Sequence, residues 1–197
     1  MSETPHWPAY QIGPRDSIFA IGVVSVNYAQ LEFAVNAMFA AILEIGLEAS
    51  SRLTAKIGPE MKDKLMREML PSRTWTADVA ELALYFIEAH KICYENRNQL
   101  IHSRLSVGST KATLLYKHAR SGKTILANPL LSELRQVADD MHALTWFGIH
   151  LSNMINVNLR KIDPQEGDFA FPTWPEKLPL PIPLGYTSDL RPVRREP

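Results

Sequence analysis

The sequence predicts an all-α protein, an antiparallel bundle of four to five helices with a small β-hairpin inserted after one helix and an extended proline-rich tail. Three observations lead to this fold. Apolar residues recur at helical spacing over three long stretches, β-prone residues cluster in one short region, and eight of the fourteen prolines follow residue 163. We therefore divide the chain into an arm (1–13), a helical domain (14–162) and a tail (163–197).

The first long helix is predicted to begin at Pro14 and Asp16 and to end at Gly46. Proline suits the first turn of a helix, and an aspartate there faces the positive end of the helix dipole. Apolar residues then recur at alternating steps of four and three, namely Val24, Tyr28, Leu31, Val35, Met38, Ile42 and Ile45. Such a seam faces a partner helix, either within the fold or across a dimer. The arm before it is either pinned by its aromatic residues or disordered.

Two short helices, 50–56 and 59–70, are predicted to follow, and a second long helix then spans residues 77–102. Its apolar stripe consists of Val79, Leu82, Phe86, Ala89, Cys93 and Leu100. Cys93 is the one cysteine of the chain. Its place on the stripe indicates a buried structural thiol, and the lack of a disulfide partner favours a reducing compartment.

A β-hairpin is predicted after this helix, with strands at 113–116 and 124–126 and a turn at 119–122. Lysines plus arginines balance aspartates plus glutamates at 21 each, so the chain has no overall basic charge. From residue 96 to residue 132, however, acidic residues are absent and six cations occur: Arg97, Arg104, Lys111, Lys117, Arg120 and Lys123. This local excess indicates a site for phosphate.

The last long helix is predicted to follow Pro129, with Leu131, Leu134, Ala138, Met141, Thr145, Gly148, Leu151 and Ile155 at helical spacing. Asp139, His142 and His150 on this helix suggest a metal site by spacing alone. Surface positions explain them better, because no compact pattern of ligands is present. We therefore expect neither a metal nor a cofactor.

The tail alternates leucine or isoleucine with proline over residues 178–184, which predicts an extended polyproline-like chain. It lies along the body or a second subunit, or it binds the groove of a partner protein. No stretch reaches about 18 uninterrupted apolar residues, and the first residues do not resemble a signal peptide. We expect a soluble cytoplasmic protein without membrane contact.

The second long helix ends in the sequence Glu-Asn-Arg-Asn-Gln-Leu-Ile-His-Ser (95–103), in which Arg97 and Asn98 precede His102. An arginine, a following polar residue and a histidine at this distance resemble the signature of the HEPN superfamily. Residues 28–32, Tyr-Ala-Gln-Leu-Glu, are similar to the first helix of several HEPN-like families. The resemblance covers residues 15–160. It implies a homodimeric helical bundle with metal-independent endoribonuclease activity on RNA, often a toxin or phage-defence effector with an antitoxin or other partner protein.

The resemblance suggests a role for each residue of the motif. His102 acts as the base, since histidine exchanges protons near neutral pH, and Arg97 stabilises charge on the phosphate. Asn98 positions the phosphate or the imidazole. Glu32 either orients Arg97 or is a boundary residue in water. The alternative is a non-catalytic dimeric interaction or regulatory module of the same fold, in which Arg97 and His102 only tie helix ends together.

Overall fold

A computed structural model describes residues 14–72, 75–106, 113–117, 124–127, 129–159 and 173–184. The described part contains five α-helices: α1 (Arg15–Leu43), α2 (Leu47–Thr54), α3 (Pro59–Met69), α4 (Ala77–Ile101) and α5 (Leu131–Asn158). A 3-10 turn, Leu70–Ser72, follows α3. These helices confirm the predicted all-α fold class. The predicted arm, 1–13, lies outside the described residues.

Helix α1 ends at Leu43, three residues before the predicted stop. Glu44 takes the left-handed conformation with φ 57°, and the backbone N–H of Ile45 donates to the carbonyl of Ala40 at 3.0 Å. This arrangement satisfies a carbonyl that the helix end would leave free. The predicted stop, Gly46, instead lies at the N-cap of α2. Sequence pattern alone favoured glycine, but the chain here adopts the left-handed turn at a glutamate.

The core lies where α1 packs against α5 and α4 packs against both. The side-chain amide of Asn27 donates to the carbonyl of Ala138 at 2.9 Å, which ties α1 to α5. A Cβ atom on Gly148 would lie 2.4 Å from Cε2 of Phe86, so the absence of a side chain lets that ring reach α5. Cys93 is buried as predicted, and burial raises the pKa of its thiol.

Three short strands lie between α4 and α5: β1 (Arg104–Ser106), β2 (Thr113–Lys117) and β3 (Thr124–Ala127). They pair antiparallel in the order β1-β2-β3. The sequence predicts the last two of them and not β1. The predicted turn at 119–122 lies outside the described residues.

One face of α1 has no partner among the described residues. Phe19, Val26 and Phe33, seven residues apart, are 73%, 59% and 55% exposed. We call these three residues the α1 stripe. Of the helices that the structure describes, α1 alone is long and apolar enough to cross a membrane, a property that core helices of soluble proteins share.

The described part of the tail, residues 173–184, is extended and lies along α4. We call it the strap. Lys177 forms an ion pair with Glu81 near the start of α4. At the C-terminal end of the strap, Leu184 is buried, and its backbone N–H donates to Asn96. The strap therefore runs in the same direction as α4 and ends next to Arg97.

Candidate functional site

Arg97, on the last turns of α4, is half-buried and held by two neighbours. Its Nη1 donates to the side-chain oxygen of Asn98 at 3.0 Å. Its guanidinium carbon lies 5.4 Å from the centre of the Tyr28 ring, within the range of a cation–π contact. No carboxylate among the described residues forms an ion pair with Arg97. The guanidinium is thus oriented while its charge stays available to an anion.

The Tyr28 ring faces three side chains of α4. His90 stacks on it at 6.4 Å between ring centres and 18° between planes, and Tyr94 lies at the same distance with a tilt of 37°. His90, Tyr94 and Arg97 share one helix face because they are four and three residues apart. The Tyr28 hydroxyl is buried with no hydrogen-bond partner among the described residues. Burial, followed by the charge of Glu32, raises the pKa of Tyr28.

His90 is also bonded to α3. Its Nδ1 lies 2.9 Å from Oδ1 of Asp63, and its side chain is 1% exposed. A carboxylate beside a buried imidazole fixes the orientation of the ring. This pair links α3 to α4 directly behind the Tyr28 ring.

A lysine is buried next to this pair. Lys62 is 7% exposed, and its Nζ donates to the side-chain oxygen of Asn36 at 3.3 Å. Burial lowers the pKa of Lys62, while the carboxylates of Glu32 and Asp63 oppose that shift. We call Tyr28, Lys62, Asp63, His90 and Arg97 the polar seam, since they lie together where α1, α3 and α4 meet.

His102 lies at the C-cap of α4. Its side chain is exposed, and its backbone N–H donates to the carbonyl of Asn98 at 3.0 Å. No hydrogen bond joins the side chains of His102 and Arg97 in the described part of the chain. The imidazole therefore faces solvent and is not locked to the arginine within one subunit.

Glu32 is exposed, and no ion pair joins it to Arg97 among the described residues. The structure thus places it at the helix boundary, and the Tyr28 ring and Asn98 hold the guanidinium instead. Of the predicted phosphate-binding cations, Arg104 lies in β1 and Lys117 at the end of β2. The other three, Lys111, Arg120 and Lys123, lie outside the described residues.

Within the described ranges, no group of three or more histidines, cysteines or acidic residues is placed to hold a metal ion. Of the three residues on α5 that suggested such a site, Asp139 and His142 are exposed. The indole N–H of Trp146 donates to Nε2 of His142 at 3.3 Å. This contact gives the His142 ring a partner on its own helix.

Sequence reasoning missed the pair of Asp63 and His90, and also Lys62. The spacing of His90, Tyr94 and Arg97 was a usable signal, because it puts three polar or aromatic residues on one helix face. No pattern in the sequence links Asp63 to His90, which lie 27 residues apart. Only the packing of α3 against α4 brings them together.

Comparisons with protein-family models, with curated proteins and with solved structures found no match to this chain. The geometry of the site is therefore the basis for assigning a function.

Proposed function

We propose that the protein is a metal-independent endoribonuclease of HEPN type, of the kind found among toxins and phage-defence effectors. In this proposal its long helices form an antiparallel bundle, and it works as a cytoplasmic homodimer on RNA. The observation that supports it most is how the guanidinium of Arg97 is held. A half-buried guanidinium, oriented by Asn98 and Tyr28 and free of a carboxylate partner in the described chain, is suited to bind a phosphodiester.

The proposed reaction uses the 2′-hydroxyl of the RNA as the nucleophile. His102 removes the proton from this hydroxyl, and the oxygen attacks the adjacent phosphorus. Arg97 stabilises the added negative charge on the phosphoryl oxygens. The bond to the 5′ oxygen then breaks, and this oxygen takes a proton from water or from the second imidazolium of the dimer. The products are a 2′,3′-cyclic phosphate and a free 5′-hydroxyl.

Two further groups of residues have roles in this proposal. Asn98 keeps the guanidinium directed at the phosphate through its 3.0 Å hydrogen bond. The cations that follow the motif, Arg104, Lys111, Lys117, Arg120 and Lys123, bind the RNA backbone on either side of the scissile bond. Glu32 contributes its electrostatic field, since no ion pair joins it to Arg97 in the part of the chain that the structure describes.

The test is cleavage of single-stranded RNA by the purified protein in the presence of EDTA, with the products identified by mass. We expect 2′,3′-cyclic phosphate ends. Arg97→Ala and His102→Ala should each reduce cleavage by at least about a thousandfold, because each removes a group that acts on the reacting atoms. Arg97→Lys should also be impaired, since lysine cannot form the paired contacts of a guanidinium.

Matched controls separate loss of chemistry from loss of charge. Arg135→Ala and His142→Ala remove the same side chains from exposed positions on α5 and should leave cleavage unchanged. Circular dichroism should show the same helix content in all five variants. Cleavage that requires Mg²⁺, or that survives both Arg97→Ala and His102→Ala, rules out the proposed chemistry.

The second candidate is a non-catalytic dimeric interaction or regulatory module. The exposed α1 stripe favours it, because an apolar helix face needs a partner whether or not RNA is cut. The contact between Arg97 and Tyr28 also stabilises the fold without a substrate. Growth on expression distinguishes the two: a toxin slows growth and the Arg97 and His102 variants relieve it, whereas a module without activity leaves growth unchanged.

A further inference from the structure

The strap matches α4 in length and direction. From Glu81 to Asn96, α4 advances by about 22 Å at a rise of about 1.5 Å per residue. From Lys177 to Leu184, a polyproline-like chain advances by about 22 Å at about 3.1 Å per residue. The strap is bonded to α4 at two places, by the ion pair of Lys177 with Glu81 and by the hydrogen bonds to Asn96. The strap therefore spans the helix that carries the motif.

Asn96 binds the main chain of the strap at two points. Its Nδ2 donates to the carbonyl of Ile182 at 3.0 Å, and its Oδ1 accepts the backbone N–H of Leu184 at 2.8 Å. The side chain of Asn96 is 1% exposed, so both of its polar ends need these partners. Pro183 between them has no N–H of its own. Asn96 thus binds the main chain of a segment in which proline alternates with leucine or isoleucine.

The strap has exposed and buried apolar side chains: Pro181 is buried, and Trp174 packs against the core. Leu178 and Leu180 are 39% and 50% exposed. The ion pair of Lys177 with Glu81 is also largely exposed, and such pairs contribute little. The backbone of Leu178 is hydrogen bonded to Tyr85, and near the motif the strap is attached by the two hydrogen bonds of Asn96 and by the burial of Pro181 and Leu184.

Few side chains are buried at the end of α4. After Cys93, the buried side chains of α4 are those of Asn96 and Leu100. No left-handed cap closes the helix, since His102 has φ −95° and ψ 5°. Among the described residues, two of its last four carbonyls are seen to have partners: Asn98 accepts from the His102 N–H, and Gln99 accepts from the Ser103 hydroxyl. Helix ends of this kind fray unless tertiary contacts hold them.

We infer that Asn96 is a positioning residue and that the strap, docked through it, holds the last turns of α4 in the geometry that Arg97 and His102 need. The inference deepens the proposed function and rests on it for its catalytic part. Arg97 directly follows Asn96 in the helix, so motion at Asn96 is passed to the guanidinium through one peptide unit. Without the strap, the helix end loosens and the two groups lose their fixed positions.

The test removes the contact between Asn96 and the strap, from each side in turn, in the full-length protein. Asn96→Ala removes it from the helix, and Leu184→Pro removes the donated N–H from the strap without altering α4. Leu180→Pro is the matched control, because it also removes an N–H from the strap, at an exposed residue. We expect the first two variants to lower kcat by about ten- to a hundredfold with KM changed less than threefold, as misplaced catalytic groups do. Leu180→Pro should match the wild type.

Two measurements report on the strap and on the end of α4 without depending on RNA cleavage. Trypsin cuts after Lys177 when the strap is undocked, and hydrogen exchange at the amides of residues 98–102 reports loosening of the helix end. Both should increase in Asn96→Ala and Leu184→Pro and not in Leu180→Pro. If the strap remains protected from trypsin in both variants, the inference that Asn96 holds the strap on α4 is wrong. If it is released and kcat is unchanged, the positioning role is wrong. If the wild type cuts no RNA, the proposed function fails, while hydrogen exchange still decides whether the strap holds the helix end.

Discussion

The guanidinium of Arg97 lies over the ring of Tyr28, with 5.4 Å between the guanidinium carbon and the ring centre. This contact joins α4 to α1 at the point where the polar seam reaches the end of the motif helix. The arginine is held by an uncharged ring, so its charge is not neutralised there. A carboxylate in the same place would have competed with a phosphate for the guanidinium.

Tyr28→Phe should increase the free energy of unfolding by about 1 kcal/mol, because it removes a buried hydroxyl that lacks a partner and keeps the ring. Chemical denaturation measures this. RNA cleavage should persist, since the ring holds Arg97. Tyr28→Leu is the contrasting variant: it removes the ring and should decrease both stability and cleavage. A Tyr28→Phe protein that is less stable than the wild type would show that the hydroxyl has a partner in solution.

Lys62→Met should stabilise the protein by about 1 kcal/mol at neutral pH, because it removes a buried ammonium group. Since burial lowers the pKa of Lys62 in the folded state, the unfolded state binds more protons between that lowered pKa and the ordinary value of 10.5. The contribution of Lys62 to the free energy of unfolding of the wild type therefore rises with pH across that window. Denaturation at several pH values should show the advantage of Lys62→Met shrinking toward pH 10.5, and an advantage that grows with pH contradicts the prediction.

Gly148→Ala should cost about 1–3 kcal/mol of stability. The new Cβ would meet Cε2 and Cζ of Phe86 at 2.4 and 2.8 Å, and Cβ of Ala34 at 3.3 Å, all inside the core. A double-mutant cycle with Phe86→Leu provides the control, because that variant removes the two ring atoms. The cost of Gly148→Ala should then be smaller in the Phe86→Leu background. Equal costs in both backgrounds would show that the ring is not the obstacle.

The α1 stripe should hold two copies of the chain together. The wild type should have twice the 22.2 kDa chain mass by light scattering at micromolar concentration. Val26→Glu should shift it toward the monomer, because it puts a charge into the middle of the apolar face. Leu53→Glu is the control, since Leu53 is also apolar and exposed but lies on α2. A wild-type monomer, or co-sedimentation of the wild type with lipid vesicles, would assign the stripe another role.

The sequence by itself determined where the long helices lie, because the spacing of apolar residues is a local property of the chain. Helix α4 begins at the predicted Ala77 and ends one residue before the predicted His102, and Cys93 is buried as its place on the stripe required. The same pattern did not identify β1, and it placed the end of α1 at Gly46, where a left-handed Glu44 had already ended the helix.

Only the tertiary structure decided the partners of the polar side chains. It paired His90 with Asp63 across 27 positions and Asn96 with the strap across 86 and 88. It also placed Arg97 against Tyr28, whereas the sequence had left Glu32 either as the partner of Arg97 or as a boundary residue in water. Such contacts depend on how α3, α4 and the strap pack together, and the order of residues within any one of these elements does not contain that information.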